Sequence, residues 1–216
     1  MRKNYKAVIF DLDGVICHTD KYHYLSWKEV AKELGIELDR GFNEKLRGMG
    51  RRETLEALLT RYPGKLTDAE KNYFTEKKNN IYLKLLDNMN SSNISLEVRE
   101  TLAALRESGI KLAIGSSSKN AKHILEKLEL KNYFDAVSDG TDITRSKPDP
   151  EVFLKACRYL NMEPTQCLVV EDAKAGIEAA AAGGMDCAAI GQVNELKLAT
   201  YSLNCFSDLI NIVLTK

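Results

Sequence analysis

The sequence predicts an α/β protein whose core is a doubly wound parallel sheet, with an all-helical cap domain inserted into it. Two observations carry this prediction. Short apolar runs alternate with helical patterns at the start of the chain and again in its second half, as in folds built from β-α-β units. Between these parts, residues 17–92 show helical patterns alone. We therefore expect an α/β core of residues 1–16 and 93–216 and a cap of residues 17–92.

The first apolar run, Ala7–Phe10, is bounded by charged residues and is typical of a strand that is buried on both faces. The segments between the later apolar runs have apolar residues at helical spacing, and in the first of them Ser95 is a candidate N-cap and Gly109 a stop. This alternation indicates a Rossmann-like sheet with helices on both faces. The four later predicted strands are Lys111–Ile114, Ala136–Val137, Leu168–Val170 and Ala188–Ile190.

Three helical segments fill the inserted region, "YHYLSWKEVAKELG", "ETLEALLTRY" and "TDAEKNYFTEKKNNIYLKLL". The third opens with a capping box formed by Thr67 and Glu70. On the first, every fourth residue lies on the same helix face, which brings Thr19, His23 and Trp27 into line as candidate substrate-binding residues. For this stripe a purely structural interpretation is equally open, with Trp27 in the core and His23 bonded to a backbone carbonyl.

Composition excludes several classes of protein. Lys and Arg together number 31, as do Asp and Glu, so the chain lacks the positive field that nucleic acids or anionic membranes require. The five cysteines form no CxxC pair, which is typical of reduced thiols in the cytosol. The first apolar run stops after four residues, too short for a signal peptide or a membrane span. We expect a soluble, cytoplasmic monomer that acts on a small molecule.

Polar residues follow the predicted strands at the edge where parallel α/β sheets bind ligands, beyond the carboxyl ends of the strands. Taken singly, each has an ordinary structural explanation as a turn former, a helix cap or a solvated side chain. Their shared edge and their order along the chain favour a common site. These residues are Asp11, Asp13, Ser116, Lys119, Asn120, Lys147, Glu171 and Asp172.

The chemistry of this set points to phosphoryl transfer. Four carboxylates on one edge repel each other, a divalent cation relieves that repulsion, and oxygen ligands select Mg²⁺. A lysine among them is explained if phosphate also binds there. One aspartate can attack phosphorus, and a second can move a proton to or from the oxygen that leaves or attacks. Lys147 and Ser116 would then neutralise charge on the phosphoryl oxygens.

The stretches "DLDGV", "GSSS", "SKPDP" and "VVEDAKAG" resemble the four motifs of the haloacid dehalogenase superfamily, in order and over nearly the whole chain. The helical insertion after the first motif resembles the cap of its first subclass. The dehalogenases of this superfamily lack the second aspartate of the first motif, so the presence of Asp13 indicates phosphoryl transfer.

The cap stretches "YHYLSWKEVAKELGI", "FNEKLRGMGRRETLEALL" and "EKKNNIYLKLL" resemble the β-phosphoglucomutase branch of the superfamily. This resemblance implies the interconversion of β-glucose 1-phosphate and glucose 6-phosphate through β-glucose 1,6-bisphosphate. It implies Asp11 as nucleophile and Asp13 as general acid and base. One Mg²⁺ per chain would be held by Asp11, the Asp13 carbonyl and Asp172, with support from Glu171.

The same resemblance implies roles for further residues. Ser116 and Lys147 would bind the transferring phosphate, and Thr19 and His23 would lie at the hinge and contact Asp13. The sugar and the distal phosphate would be bound by Arg51, Lys78, Lys119, Asn120 and the loop Gly48–Gly50. Two alternatives stay open from the residues alone: Arg52 could replace Arg51, and Arg51 and Lys78 could each be ordinary solvated cations.

Three other functions stay open. A capped phosphatase for a sugar phosphate or a phosphoglycolate-like substrate would share the aspartyl phosphate and differ in letting water attack it. A phospho-accepting signalling domain would have a similar acidic edge, but it lacks a helical cap of this length. An inactive binding protein is disfavoured because every acidic motif position is intact.

Overall fold

The computed structural model describes residues 4–46 and 49–215. The chain divides into two compact units, one of residues 1–18 and 90–216 and the other of residues 19–89. These boundaries lie two residues later and three residues earlier than the division inferred from the sequence. We call the first unit the core and the second the cap, and each is described by itself.

The core is built on a six-stranded parallel sheet, which confirms the predicted fold class. The order of the strands in the sheet is β3-β2-β1-β4-β5-β6. β1 lies in the centre, with Ala7 level with Lys111 of β2 on one side and with Cys167 of β4 on the other. The strands are β1 (Ala7–Phe10), β2 (Lys111–Gly115), β3 (Ala136–Ser138), β4 (Cys167–Glu171), β5 (Asp186–Ile190) and β6 (Tyr201–Leu203).

Helices cover both faces of the sheet. Ala7 and Ile9 point to one face, where they pack with apolar residues of α7 and α8. Phe10 points to the other face, where its ring stacks on Phe206 just before α9, and α5 packs on β2 and α9. The core helices are α5 (Leu96–Glu107), α6 (Ala121–Lys127), α7 (Glu151–Leu160), α8 (Lys174–Ala182) and α9 (Asp208–Leu214).

Local signals in the sequence set the ends of the core helices. Ser95 caps α5 by accepting a hydrogen bond from the Val98 N–H at 3.2 Å, as predicted. Gly109 follows the helix with φ +80°, a backbone conformation that glycine adopts without strain. Five of the six strands match the predicted apolar runs within two residues. The edge strand β6 and the helix α9 were not anticipated.

The cap is helical in the described residues, with α1 (Asp20–Glu33), α2 (Arg40–Lys45), α3 (Arg51–Leu59) and α4 (Asp68–Leu86). Its own apolar core includes Trp27, Val30, Leu55, Leu58 and Phe74. The predicted capping box at the start of α4 is present, since Thr67 and Glu70 exchange hydrogen bonds. No helix in the described part of the chain is long and apolar enough to cross a membrane.

Candidate active site

The strand order indicates where on the sheet a ligand would bind. β1 and β4 are neighbours, but the chain leaves β1 for one side of the sheet and leaves β4 for the other, so ligands are expected beyond their carboxyl ends. Asp11 directly follows β1, and its N–H donates to the Val170 carbonyl of β4 at 3.0 Å. Glu171 ends β4, and Asp172 follows it. The first and last acidic motifs of the sequence therefore meet at this switch point.

Lys147 is the centre of a buried ion-pair cluster. Its Nζ lies 2.5 Å from Asp11 Oδ1 and 2.6 Å from Glu171 Oε1, and it also lies over the Phe153 ring. The side chains are 4% exposed for Lys147, 10% for Asp11 and 1% for Glu171. An unpaired charge at this depth would be strongly destabilising, so the three groups depend on each other. The sequence predicted that these residues share an edge, and the structure brings them into direct contact.

Burial and neighbouring charges shift the pKa values of Asp11 and Lys147, and both are raised. Burial raises the pKa of Asp11 well above its usual value, and the neighbouring carboxylates add to the rise against the opposing effect of Lys147. Burial alone would lower the pKa of Lys147, but the charges of Asp11 and Glu171 outweigh it and hold that pKa above the usual value. Lys147 therefore stays a cation, available to phosphoryl oxygens.

Both oxygens of Glu171 have protein partners. Oε1 accepts from Lys147, while Oε2 accepts a hydrogen bond from the Ala173 N–H at 2.8 Å. Gly176 of α8 leaves room for this side chain, because a Cβ there would lie 1.8 Å from Glu171 Oε1. The placement favours Glu171 as the residue that positions Lys147, and its expected support of Mg²⁺ stays a prediction.

The loop after β1 brings Asp172 against the DLDG backbone. Gly14 has φ +96°, and a Cβ at this residue would lie 2.1 Å from Asp172 Oδ2. Only glycine satisfies both the backbone conformation and the close approach. The turn is closed by the Gly14 N–H, which donates to the Cys17 carbonyl at 2.7 Å. The structure thus explains the glycine of the first motif and places Asp172 beside it.

The loop after β2 carries the expected phosphate-binding residues. Ser116 is buried, and its Oγ accepts from the Ser118 N–H at 3.1 Å. Asn120 N–H donates to Ser118 Oγ at 3.2 Å at the start of α6, while Lys119 is exposed. The ordinary structural alternative, Ser116 as a helix cap, does not hold, since its hydroxyl accepts a hydrogen bond within the loop; its role in phosphate binding stays a prediction.

Gly140, which was not predicted from the sequence, fixes the position of this loop. Its N–H donates to the Ser118 carbonyl at 3.1 Å, and a Cβ on Gly140 would lie 2.3 Å from the Ser117 carbonyl oxygen. The Ser116 N–H in turn donates to the Ser138 carbonyl at 3.1 Å. The signal in the sequence was the "SDG" turn after β3, which by itself is an ordinary turn pattern.

The carboxylates fit a hard metal ion by their chemistry. Asp13 and Asp172 both act electrostatically on Asp11, so oxygen donors of three residues come close together at one edge. Within residues 4–46 and 49–215, no three His, Cys, Asp or Glu side chains form a ready-made metal cluster. Two carboxylate oxygens that could otherwise face a metal ion are bound by Lys147 instead, one from Asp11 and one from Glu171.

In the cap, His23 pairs with Lys78. The His23 Nδ1 lies 2.9 Å from Lys78 Nζ, and its ring packs on Tyr82 at 4.2 Å between centroids. An ammonium can only donate, so Nδ1 accepts and His23 is neutral. Burial, followed by the charges of Lys78 and Arg51, lowers the pKa of His23 well below its usual value. The expected contact of Thr19 and His23 with Asp13 stays a prediction.

Lys78 departs from its structural interpretation as a solvated lysine, whereas Trp27 agrees with its interpretation as a core residue. Lys78 is buried, with Nζ 4.2 Å from the Tyr82 ring centroid, although a solvated lysine was the default for its "KK" pair. Its neighbour Lys77 forms the surface pair, with Glu33. Trp27 is buried in the apolar core of the cap, which agrees with the structural interpretation of that residue. Its assignment to the substrate site stays a prediction.

The two adjacent arginines occupy different environments. Arg51 is half-buried and donates to Asn79 Oδ1 at 2.7 Å, and burial lowers its pKa. Arg52 is 41% exposed and is engaged with Glu56 and Asp68 on the surface. Asn79, another residue missed from the sequence, belongs to the same helix as Lys78. Gly48, which was also expected at the site, lies outside the described residues.

The chain belongs to the haloacid dehalogenase-like hydrolase family, which it matches over residues 8–190. It is 39% identical over 207 residues to a β-phosphoglucomutase of Bacillus subtilis, covering 94% of this chain and 91% of that protein. It is 31% identical over 186 residues to a phosphorylated carbohydrates phosphatase of Thermotoga maritima, covering 84% and 82% of the two chains.

Among solved structures, a β-phosphoglucomutase from Clostridium difficile is 36% identical and has a TM-score of 0.89, covering 95% of this chain and 93% of that one. Similarity over nearly the full length of both chains includes the core and the cap. The chain is therefore an enzyme of this family, and the comparisons favour a phosphomutase over the signalling domain and the inactive binding protein.

Proposed function

We propose that this protein is a β-phosphoglucomutase that interconverts β-D-glucose 1-phosphate and D-glucose 6-phosphate through a glucose 1,6-bisphosphate. The observation that carries the proposal is the buried Asp11–Lys147–Glu171 cluster at the switch point of a chain that resembles β-phosphoglucomutases in both units. The formal net charge is zero, so we propose that local cations recognise the sugar phosphate. The five free cysteines fit the cytoplasm, where we propose that the enzyme acts.

The residues of the core divide the chemistry among them. Asp11 attacks the phosphorus atom and becomes an aspartyl phosphate, and Asp13 protonates the leaving oxygen and later deprotonates the attacking hydroxyl. Lys147 and Ser116 bind phosphoryl oxygens and stabilise the charge that they carry in the transition state. Asp11, Asp172 and the Asp13 carbonyl would hold Mg²⁺, which supplies Lewis-acid stabilisation of the phosphoryl group when bound.

A mutase needs a second phosphate site, because the bisphosphate must bind in two orientations. We assign the second phosphate to Arg51. The half-buried guanidinium of Arg51 is oriented by Asn79 and is suited to bind phosphate, whereas Arg52 is committed to surface carboxylates. Lys78, held by neutral His23, would bind the sugar phosphate as well.

A capped sugar-phosphate phosphatase is the second candidate. The relative from Thermotoga maritima is a phosphorylated carbohydrates phosphatase, and a further relative, 32% identical over 189 residues, is a fructose-1-phosphate phosphatase of Escherichia coli. The core chemistry is the same up to the aspartyl phosphate. The two functions differ in whether a sugar hydroxyl or water attacks it.

A coupled assay separates these functions. The protein is given Mg²⁺, β-glucose 1-phosphate and a trace of the bisphosphate, and glucose 6-phosphate and inorganic phosphate are measured together, with the α anomer as control. We expect glucose 6-phosphate to form from the β anomer and to stop when EDTA is added. Rapid release of inorganic phosphate without glucose 6-phosphate would refute the mutase and support the phosphatase.

The paired arginines supply a matched control within the same assay. We expect Arg51→Ala to lower glucose 6-phosphate formation on the order of a hundredfold, the scale of losing a charge-assisted phosphate contact. Arg52→Ala removes the same charge from the adjacent residue and should leave the rate near that of the unmodified protein. Equal losses in the two variants would show that the second phosphate is bound elsewhere.

A further inference from the structure

Lys147 lies in a long loop without regular secondary structure. β3 ends at Ser138 and α7 begins at Glu151, so twelve residues connect them. A loop of this length does not define the place of a buried side chain by itself. The Lys147 ammonium must nevertheless stay between Asp11 and Glu171, where its side chain is 4% exposed. Something in the chain must fix the backbone that carries it.

The Glu151 carboxylate folds back onto this loop. Its Oε2 accepts from the Thr144 N–H at 3.0 Å, the Thr144 Oγ1 at 2.9 Å and the Arg145 N–H at 3.0 Å. These bonds join the two ends of residues 144–151 into a hydrogen-bonded ring. Lys147 is one of the residues of that ring. Within it, the Asp149 N–H donates to the Ser146 carbonyl at 3.1 Å.

The second carboxylate oxygen of Glu151 bonds within α7. Its Oε1 pairs with Lys155 one turn further along α7, at 3.1 Å, and its own N–H donates to Asp149 Oδ1 at 3.0 Å. α7 packs on β2 and β3, so the ring is tied to the sheet. The hydrogen bonds to the Glu151 carboxylate, of which the bond from the Arg145 N–H has the largest effect, hold the pKa of Glu151 at about 2. The carboxylate is therefore charged at any working pH.

We propose that Glu151 is a positioning residue for phosphoryl transfer, which fixes the loop so that the Lys147 ammonium meets the phosphoryl oxygens on Asp11. The inference rests on the proposed function through the role of Lys147. An acid in the first turn of α7 would also stabilise that helix. That simpler role predicts a loss of stability that is independent of Lys147, whereas positioning predicts a loss of rate that requires Lys147.

A double-mutant cycle tests the proposal. The variants are Glu151→Ala, Lys147→Ala and the double variant, with Glu178→Ala as control, which breaks an exposed i,i+4 pair with Lys174 on α8. Turnover is measured as inorganic phosphate released from acetyl phosphate with Mg²⁺, and urea unfolding is measured in parallel. Acetyl phosphate tests the core alone, so a protein that makes no glucose 6-phosphate refutes the proposed function without deciding this inference.

We expect Glu151→Ala to lower kcat on the order of ten- to a hundredfold, the cost of misplacing a catalytic group by about 1 Å, while KM changes less. In the Lys147→Ala background the same substitution should change kcat by less than about twofold. Glu178→Ala should leave kcat unchanged. Glu151→Gln keeps an acceptor oxygen for Thr144 and Arg145 and should restore part of the rate.

Three results would overturn the proposal. They are a folded Glu151→Ala variant with unchanged kcat, an equal loss of kcat with and without Lys147, and no effect of Lys147→Ala on turnover. If Glu151→Ala does not fold, Glu151→Gln replaces it in the same cycle. A loss in that variant that depends on Lys147 supports the proposal, and one that does not depend on Lys147 overturns it.

Discussion

Gly140→Ala should displace the phosphate-binding loop without unfolding the protein. Gly140 has an ordinary backbone φ, so alanine is allowed at this position by its conformation. The new Cβ, however, would lie 2.3 Å from the Ser117 carbonyl oxygen and 2.8 Å from the Lys119 nitrogen. Both are backbone atoms that cannot rotate away. Restoring an ordinary separation of about 3.4 Å requires a shift of roughly 1 Å in the loop that carries Ser116.

A shift of that size in a group that binds the transferring phosphate is expected to lower kcat on the order of a hundredfold. The assay is phosphate release from acetyl phosphate alongside glucose 6-phosphate formation, with urea unfolding to confirm the fold. Gly41→Ala is the control, because a Cβ there would meet Asp39 Oδ1 at 3.4 Å, an ordinary contact. A folded Gly140→Ala variant with a rate close to that of the unmodified protein would refute the reasoning.

Three further predictions concern stability and reactivity. Leu58 is fully buried in the cap core, so Leu58→Ala should lower the free energy of unfolding by about 2–5 kcal/mol, measured by urea denaturation. The pKa of His23 is lowered in the folded protein, so at falling pH the unfolded chain takes up this proton before the folded one does. The free energy of unfolding should therefore fall as the pH drops below about 6.5, and His23→Gln should remove that part of the pH dependence. Cys205 is the exposed cysteine and should react with a thiol reagent in the native protein, whereas the other four should react after unfolding.

The sequence was sufficient to predict those strands that are continuous apolar runs and end on an acidic motif. β1 and β4 are continuous apolar runs because both faces are covered, and each ends directly on its acidic motif, so the strands and the acidic edge could be predicted together. β6 was missed because it is a three-residue edge strand without such a run. Lys78 could not be placed, since Lys77 and Lys78 are equivalent in the sequence but point about 100° apart on α4. Gly140 acts through a contact with residue 117, which a turn pattern cannot reveal.

The charge balance of the core explains why one lysine is not enough for the proposed reaction. Asp13, Glu171 and Asp172 all raise the pKa of Asp11, and the charge of Lys147 opposes them. This suffices to bury Asp11 and Glu171, because Lys147 bonds directly to both. A phosphoryl group adds negative charge beside Asp11, where attraction to Lys147 must compete with repulsion from the remaining carboxylates. We therefore expect phosphate binding to need a further cation, which is the physical reason to expect that EDTA abolishes turnover even when Lys147 is correctly positioned.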